Sequence, residues 1–297
     1  VLRGVAVAPD DHAHSGRLAV AAGETRDLSL TWHPSHHAPP EQLDVDAVLA
    51  QTTQWWQSWA DRIEHGGVYH DDVVRSLLLL RALSHQDTGG IVAAATTSLP
   101  EHFGGVRNWD YRFVWLRDAA LTLQALIEHG FIGVAHHWRT WLLRAIAGDA
   151  GQMQIVYGID GERDLWEREL KSLPGYEGSA PVRIGNGAAE QYQADVVGEV
   201  LLALGAARDA GLEESAFSWP LERALLAHVA EQLDRPDNGI WEIRGEPRKF
   251  THSRVMLWVA FDRAVQAVHE HGLDGPVERW ERIRAELEAE IDAQGYD

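Results

Sequence analysis

The chain of 297 residues contains no cysteine. Disulfides and thiolate catalysis are therefore excluded, and the absence leans toward a reducing compartment, so a cytoplasmic location is expected. Lysine is nearly absent too. Lys171 and Lys249 are the only two, and every other basic side chain is arginine, which reads as a coding or salt-adaptation bias. Positive charge is scarce overall: 26 basic residues face 45 acidic ones, for a net charge of −19. Such a surface repels polyanions, so neither nucleic acid nor an anionic membrane is expected as a partner. No apolar run approaches the roughly 20 residues that span a bilayer. No signal-peptide pattern opens the chain, and Val1-Leu2-Arg3-Gly4 reads as the interior of a longer sequence.

Metal and phosphate signatures are also missing. His36-His37 and His136-His137 are adjacent pairs, poorly spaced to chelate one ion. His12 and His14 fall in an expected loop, and no HExxH pattern occurs, so no metal site is expected. Phosphate-cradling glycine loops, nucleophile elbows and dinucleotide fingerprints are absent, so no cofactor is expected.

What the chain does have is tryptophan, thirteen of them, in a sequence that is 45% hydrophobic. That suffices for one large core, or a large domain plus a smaller piece. The densest stretch runs from Arg107 to Asp118, where aromatics, arginines and aspartates crowd together just ahead of an apolar helical run. Aromatic faces suit sugar rings, and arginine–aspartate pairs suit sugar hydroxyls. A salt-bridged helix start accounts for the same composition.

The first 34 residues alternate as strands do. Leu18 and Val20, then Leu28, Leu30 and Trp32, lie on one face each, around the turn signal Ala22-Gly23-Glu24. Two or three strands do not make a stable unit alone. After the Pro/His loop 33–40, a helix over 44–64 carries Val45, Val48, Leu49, Trp55, Trp56 and Trp59. Further helices are expected at 71–84, 115–129, 134–149, 190–210, 215–234, 251–271 and 275–293. The last is amphipathic through Val277, Trp280, Ile283, Leu287 and Ile291. Residues 255–261 are apolar all round and predict a helix buried on every side. Buried helices alternating with amphipathic ones predict two concentric helical layers. The glycine-rich connection 150–189, with Trp166, Tyr176 and Arg183, is long enough to suggest function.

Four long stretches carry a resemblance: ATTSLPEHFGG (Ala95 to Gly105), RNWDYRFVWLRDAALTLQALIEHGF (from Arg107), GYEGSAPVRIGNGAAEQYQADVVGE (Gly175 to Glu199) and NGIWEIRGEPRKFTHSRVMLWVAFDRA (Asn238 to Ala264). Together they resemble the catalytic domain of glycoside hydrolase family 15, which includes glucoamylases and bacterial trehalases. The resemblance implies a mainly α fold. It would be a partial (α/α)6 barrel over 69–297, preceded by remnant strands of an N-terminal β-sandwich in 1–40 and a linker helix in 41–68. About seven of twelve barrel helices are counted, and the unfinished barrel predicts self-association.

Glycoside hydrolysis needs two carboxyl groups, one of them an acid with a raised pKa. Glu242, in a loop between helices, has apolar neighbours Ile240, Trp241 and Ile243. Pairing with Arg244 or Arg248 is the plainer reading of the residue alone. The resemblance implies that Glu242 is the general acid, with Trp241 beside it in the substrate site. It likewise implies that Arg117 and Asp118 grip the hydroxyls of the terminal glucose, although a helix-dipole partner would explain Asp118 equally. Trp109, Asp110 and Trp115 are placed in the same subsite, and Arg183 and Asn186 near it. Gln191, Asp195 and Glu199 form an i, i+4, i+8 stripe that reads as a solvated helix face. The family's general base, in a Gly-Glu-Gly string, has no counterpart here. The implied activity is inverting, exo-acting hydrolysis of an α-glucoside such as trehalose or a short α-glucan, with the base outside these residues. A non-catalytic glucan-binding module and a phosphorolytic enzyme on a similar barrel are the alternatives.

Overall fold

The computed structural model describes residues 1–11, 13–64, 67–146 and 150–295. The chain divides into two compact units, Val1–Glu64 and His65–Asp297.

In the first unit, β1 (Leu2–Arg3) pairs antiparallel with β4 (Ser29–Leu30), and β2 (Ala8–Asp10) with β3 (Ala13–Ser15). The expected turn forms: the Glu24 amide donates to the Ala21 carbonyl, and the Ala21 amide donates to the Glu24 carboxylate. The strand expected through Leu18 and Val20 does not form, and both side chains are exposed. No neighbouring strand among the described residues pairs with that exposed backbone. The 28–32 strand survives only as β4, and Leu30 and Trp32 are 82% and 85% exposed. His14 lies in β3, not in a loop, and His12 lies outside the described residues. α1 (Val45–Ala60) begins where the Asp44 carboxylate accepts from the Ala47 amide at 3.1 Å, an ordinary N-cap. Its Trp55, Trp56 and Trp59 rings meet edge to face.

The second unit contains α2 (His70–Ala82), α3 (Leu116–Glu128), α4 (Ile132–Ile146), α5 (Asp195–Asp209), α6 (Ser218–Ala230), α7 (Thr251–His271) and α8 (Val277–Gln294). Apolar spacing explains most of these bounds. In α3 the buried set Leu116, Ala119, Ala120, Leu123 and Leu126 recurs at helical intervals. The end of the expected 134–149 helix, residues 147–149, lies outside the described residues. α5 starts five residues later than its pattern suggests. Asn186 caps a short 3-10 turn at Gly187–Glu190, and Gln191 then turns extended, with φ −83° and ψ 151°. Gln191 to Gln193 therefore lie outside the helix, with consequences for the site.

α5 packs on both α3 and α7, while α4 covers α3 and α8 covers α7. Nearly all of α5 is buried, and full burial of a Val200 or Leu201 side chain contributes roughly 1.5–3 kcal/mol. The α5–α7 approach is close because of Gly198. A Cβ there would sit 2.1 Å from the Met256 carbonyl oxygen. α8 buries Trp280, Ile283 and Leu287, and α4 buries Trp138, Trp141 and Leu142. The two layers are thus α3, α5 and α7 inside, with α4, α6 and α8 outside. α7 is not buried on every side: Val255 is exposed, and Trp258 and Val259 are partly so. No further helix among the described residues packs on that side.

The 150–189 connection is partly ordered into ladders. β5 (Val114–Trp115) pairs with β6 (Val156–Tyr157), placing Trp115 opposite Val156. β7 (Arg168–Glu169) pairs with β8 (Arg183–Ile184). No described helix is long and apolar enough to cross a membrane.

Candidate active site

The N-terminal end of α3, the segment 186–191 ahead of α5 and the loop leading into α7 converge on a cleft of about 890 Å³. Residues 237–248 of that loop are closed by a two-way backbone bridge between Asp237 and Arg248, each bond 2.8 Å. The buried Asp237 carboxylate fixes the loop to α5, accepting from the Ala194 amide at 2.9 Å and the Gly239 amide at 3.2 Å. Gly239 has φ +66°, and any Cβ there would strike the Phe250 ring at 2.7 Å. Glu242 follows with φ +52°. For a residue with a Cβ this left-handed conformation costs about 1–3 kcal/mol.

Glu242 points into the cleft. Its Oε1 accepts from Trp115 Nε1 at 2.6 Å and from an Arg117 guanidinium nitrogen at 3.5 Å. Burial pushes its carboxyl above the ordinary glutamate range. The Arg117 charge and the hydrogen bonds from Trp115 and Arg117 oppose that push, and the Asp118 charge adds to it. Arg117 also donates to Asp118 at 3.2 Å, to Gln193 Oε1 at 3.3 Å and to the Ile240 carbonyl at 3.4 Å. Arg117, Asp118, Trp115 and Glu242 are therefore one constellation, assembled from positions more than a hundred residues apart. Neither Arg244 nor Arg248 pairs with Glu242. Arg244 clasps Glu167 with two bonds of 3.1 and 2.8 Å, and the Arg248 backbone closes the loop.

The other expected residues divide. Trp241 lines the cleft but is 86% exposed, so it does not desolvate Glu242; its neighbours Trp115 and Arg117 enclose the carboxyl instead. Trp109 lines the cleft as well. The guanidinium carbons of Arg244 and Arg183 lie 4.3 and 4.7 Å from its ring centroid, and its Nε1 donates to Glu101 at 3.1 Å. Asp110 does not reach the cleft. It is fully buried and accepts from Arg112 at 2.8 and 2.7 Å and from the Gly185 amide at 3.1 Å. Burial alone would raise its carboxyl, but these bonds hold it below the ordinary range. Its work is to tie the 107–118 segment to the 183–187 loop. Arg183 is likewise turned away, donating to the Val106 carbonyl at 2.7 Å and lying 3.8 Å from Glu167. Asn186 donates to the Asp110 carbonyl at 3.1 Å.

The polar stripe on α5 is not solvated. Asp195 and Glu199 are 0% and 4% exposed, on the inner face beneath the cleft. Neither Asp195 oxygen has a hydrogen-bond partner among the described residues, although His252 Nδ1 stands 3.9 Å away. Burial, reinforced by the Asp195 charge, raises Glu199 to about 7. Gln191, Gln193 and Tyr111 were missed as site residues. The signal for the glutamines was the extended break before α5, which periodicity does not reveal. Among the described residues no group of histidines and carboxylates could hold a metal.

The cleft thus brings together a carboxyl with raised pKa, an arginine, an aspartate and exposed aromatics. The model of Glycosyl hydrolases family 15 matches residues 67–297. The trehalase of Thermoplasma acidophilum is 38% identical over 249 residues, 84% of this chain and 42% of that protein. The trehalase of Mycobacterium tuberculosis is 35% identical over 290 residues, 95% of this chain and 42% of that protein. A solved structure described as "Glycosidase Wild Type" superposes with TM-score 0.58 over 81% of this chain and 59% of that chain, at 14% identity, a likeness of fold. The chain belongs to glycosyl hydrolase family 15. Its fold is mainly α, part of an (α/α)6 barrel, with seven helices of the second unit among the described residues. It spans about four-tenths of the length of the curated relatives it matches.

Proposed function

We propose that this chain carries the acid half of an inverting, exo-acting α-glucoside hydrolase that releases glucose from trehalose or short α-glucans. The observation that carries the reading is Glu242. It is a carboxyl with raised pKa inside the cleft, held by Trp115 and Arg117. A group protonated near working pH can give its proton to the departing glycosidic oxygen. Arg117 and Asp118 sit beside it, one a fixed donor and the other an acceptor, and would hold two hydroxyls of the terminal glucose. Trp241 and Tyr111 offer exposed aromatic surface for a second sugar. The trehalase names of relatives at 33–39% identity support trehalose as substrate.

Inversion needs a second carboxylate roughly 6.5–9.5 Å from the acid, with water between. We assign none here. Asp118 is paired with Arg117, Glu101 lines the cleft but accepts from Trp109 and faces Arg107, and Asp195 and Glu199 are shut away from the cleft. The base is proposed to come from residues other than these. The first unit is proposed to be the end of an N-terminal β-sandwich with α1 as linker, and a cytoplasmic location fits the missing cysteine. With no base assigned among the described residues, one second reading is favoured, a non-catalytic glucan-binding module.

The first-formed sugars separate these. Inverting hydrolysis of trehalose by the complete polypeptide yields α- and β-glucose in equal amounts, read by NMR before mutarotation. α-Glucose alone contradicts inversion, and no glucose with sugar binding intact supports the non-catalytic module.

A further inference from the structure

We infer that Gln191 and Gln193 are positioning residues, a two-amide relay that holds Glu242 in its strained, cleft-facing conformation and couples it to Arg117. The inference rests on the reading of Glu242 as general acid.

Arg117 NH1 donates to Gln193 Oε1 at 3.3 Å. Gln193 Nε2 donates to Gln191 Oε1 at 3.3 Å. Gln191 Nε2 then donates to the carbonyls of Glu242 and Ile243, at 3.2 and 3.4 Å. The direction of this chain is fixed from both ends. A guanidinium only donates, and backbone carbonyls only accept. Each intervening amide therefore has one orientation that satisfies both neighbours.

Glu242 needs such a hold. With φ +52° it sits in a conformation that a side chain disfavours, so surrounding bonds must impose it. The relay grips the carbonyl of Glu242 itself and that of the next residue, Ile243. Arg117, at the far end, also touches the same loop at the Ile240 carbonyl and at the Glu242 carboxylate. One guanidinium thus reaches Glu242 twice, directly and through the two amides. Gln193 is 3% exposed and does not line the cleft, so it acts through its neighbours and not on a sugar. The extended run from Gln191 to Gln193, ahead of α5, is what lets both amides point at the loop.

The relay makes a charge-sensitive prediction. In Gln193→Glu one carboxylate oxygen still accepts from Arg117, but the other faces Gln191 Oε1. Gln191 must turn, and its Nε2 leaves both carbonyls. Gln193→Leu and Gln191→Leu remove the link outright. With the complete polypeptide and trehalose, each variant is expected to lose about 30-fold in kcat, the equivalent of two net hydrogen bonds, with KM within about 2-fold of wild type. The double variant Gln191→Leu/Gln193→Leu should be no worse than either single, because a relay acts as a unit. The basic limb of the pH profile should shift, since a loosened Glu242 leaves both the burial that raises its carboxyl and the Trp115 and Arg117 contacts that lower it. A merely structural role would lower thermal stability without moving that limb. Normal kcat and pH profile in the leucine variants, alongside an inactive Glu242→Gln, overturn the relay and leave the acid standing. An active Glu242→Gln overturns the acid reading itself. Crystal structures of Gln193→Leu and Gln193→Glu add a readout independent of turnover: Glu242 is expected to lose its hydrogen bond to Trp115, and an unchanged loop overturns the relay.

Discussion

Glu199 gives a stability prediction with a definite sign. It is 4% exposed, and burial with the nearby Asp195 charge lifts its pKa from 4.5 to about 7. The folded chain therefore binds this proton more tightly than the unfolded chain does. The stabilisation is fully present below pH 4.5 and is lost as pH rises through 7. A rise from 4.5 to about 7 corresponds to about 3 kcal/mol, at about 1.4 kcal/mol per unit. Glu199→Gln removes the ionisation while keeping a similar shape, and it relieves Asp195. Urea unfolding of both chains between pH 4.5 and 8 is the assay. Wild type should lose about 3 kcal/mol relative to the variant across that window. Parallel curves would falsify the account of a protonated Glu199 beneath the cleft.

Other perturbations test separate links. Gly198→Ala drives a methyl group into the Met256 carbonyl and should cost about 3 kcal/mol in urea unfolding; a neutral result means α5 and α7 are free to separate. Trp241→Ala touches little of the fold, so its melting temperature should match wild type while trehalose affinity, read by calorimetry, falls about 5-fold. Unchanged affinity removes Trp241 from the sugar site. The open side of α7, with Val255, Trp258 and Val259, should make this chain associate as concentration rises. Sedimentation equilibrium reads this, and a constant monomer mass contradicts it.

Much of this was legible from residue order. α7 occupies the span that its apolar run predicts, and the α3 face follows from the spacing of Leu116, Ala119, Ala120 and Leu123. The α5 stripe misled because periodicity identifies a face without saying what lies opposite. Asp195 and Glu199 look solvated in sequence, yet their face meets His252 of α7. Asp110 was grouped with the sugar site by proximity in sequence, whereas its partner Gly185 lies 75 residues on. The strands β5 to β8 are two residues each, too short for any alternation to register. The relay through Gln191 and Gln193 was invisible for a related reason. It exists only because a 3-10 turn and an extended break replace the first turn of a helix that the pattern continues.

The central claim is that Glu242 delivers the proton. In the complete polypeptide, Glu242→Gln keeps the shape and the acceptor oxygen but cannot protonate a leaving group. Turnover of trehalose should fall about a thousandfold while sugar affinity stays near wild type. Turnover close to wild type would contradict the account at its root.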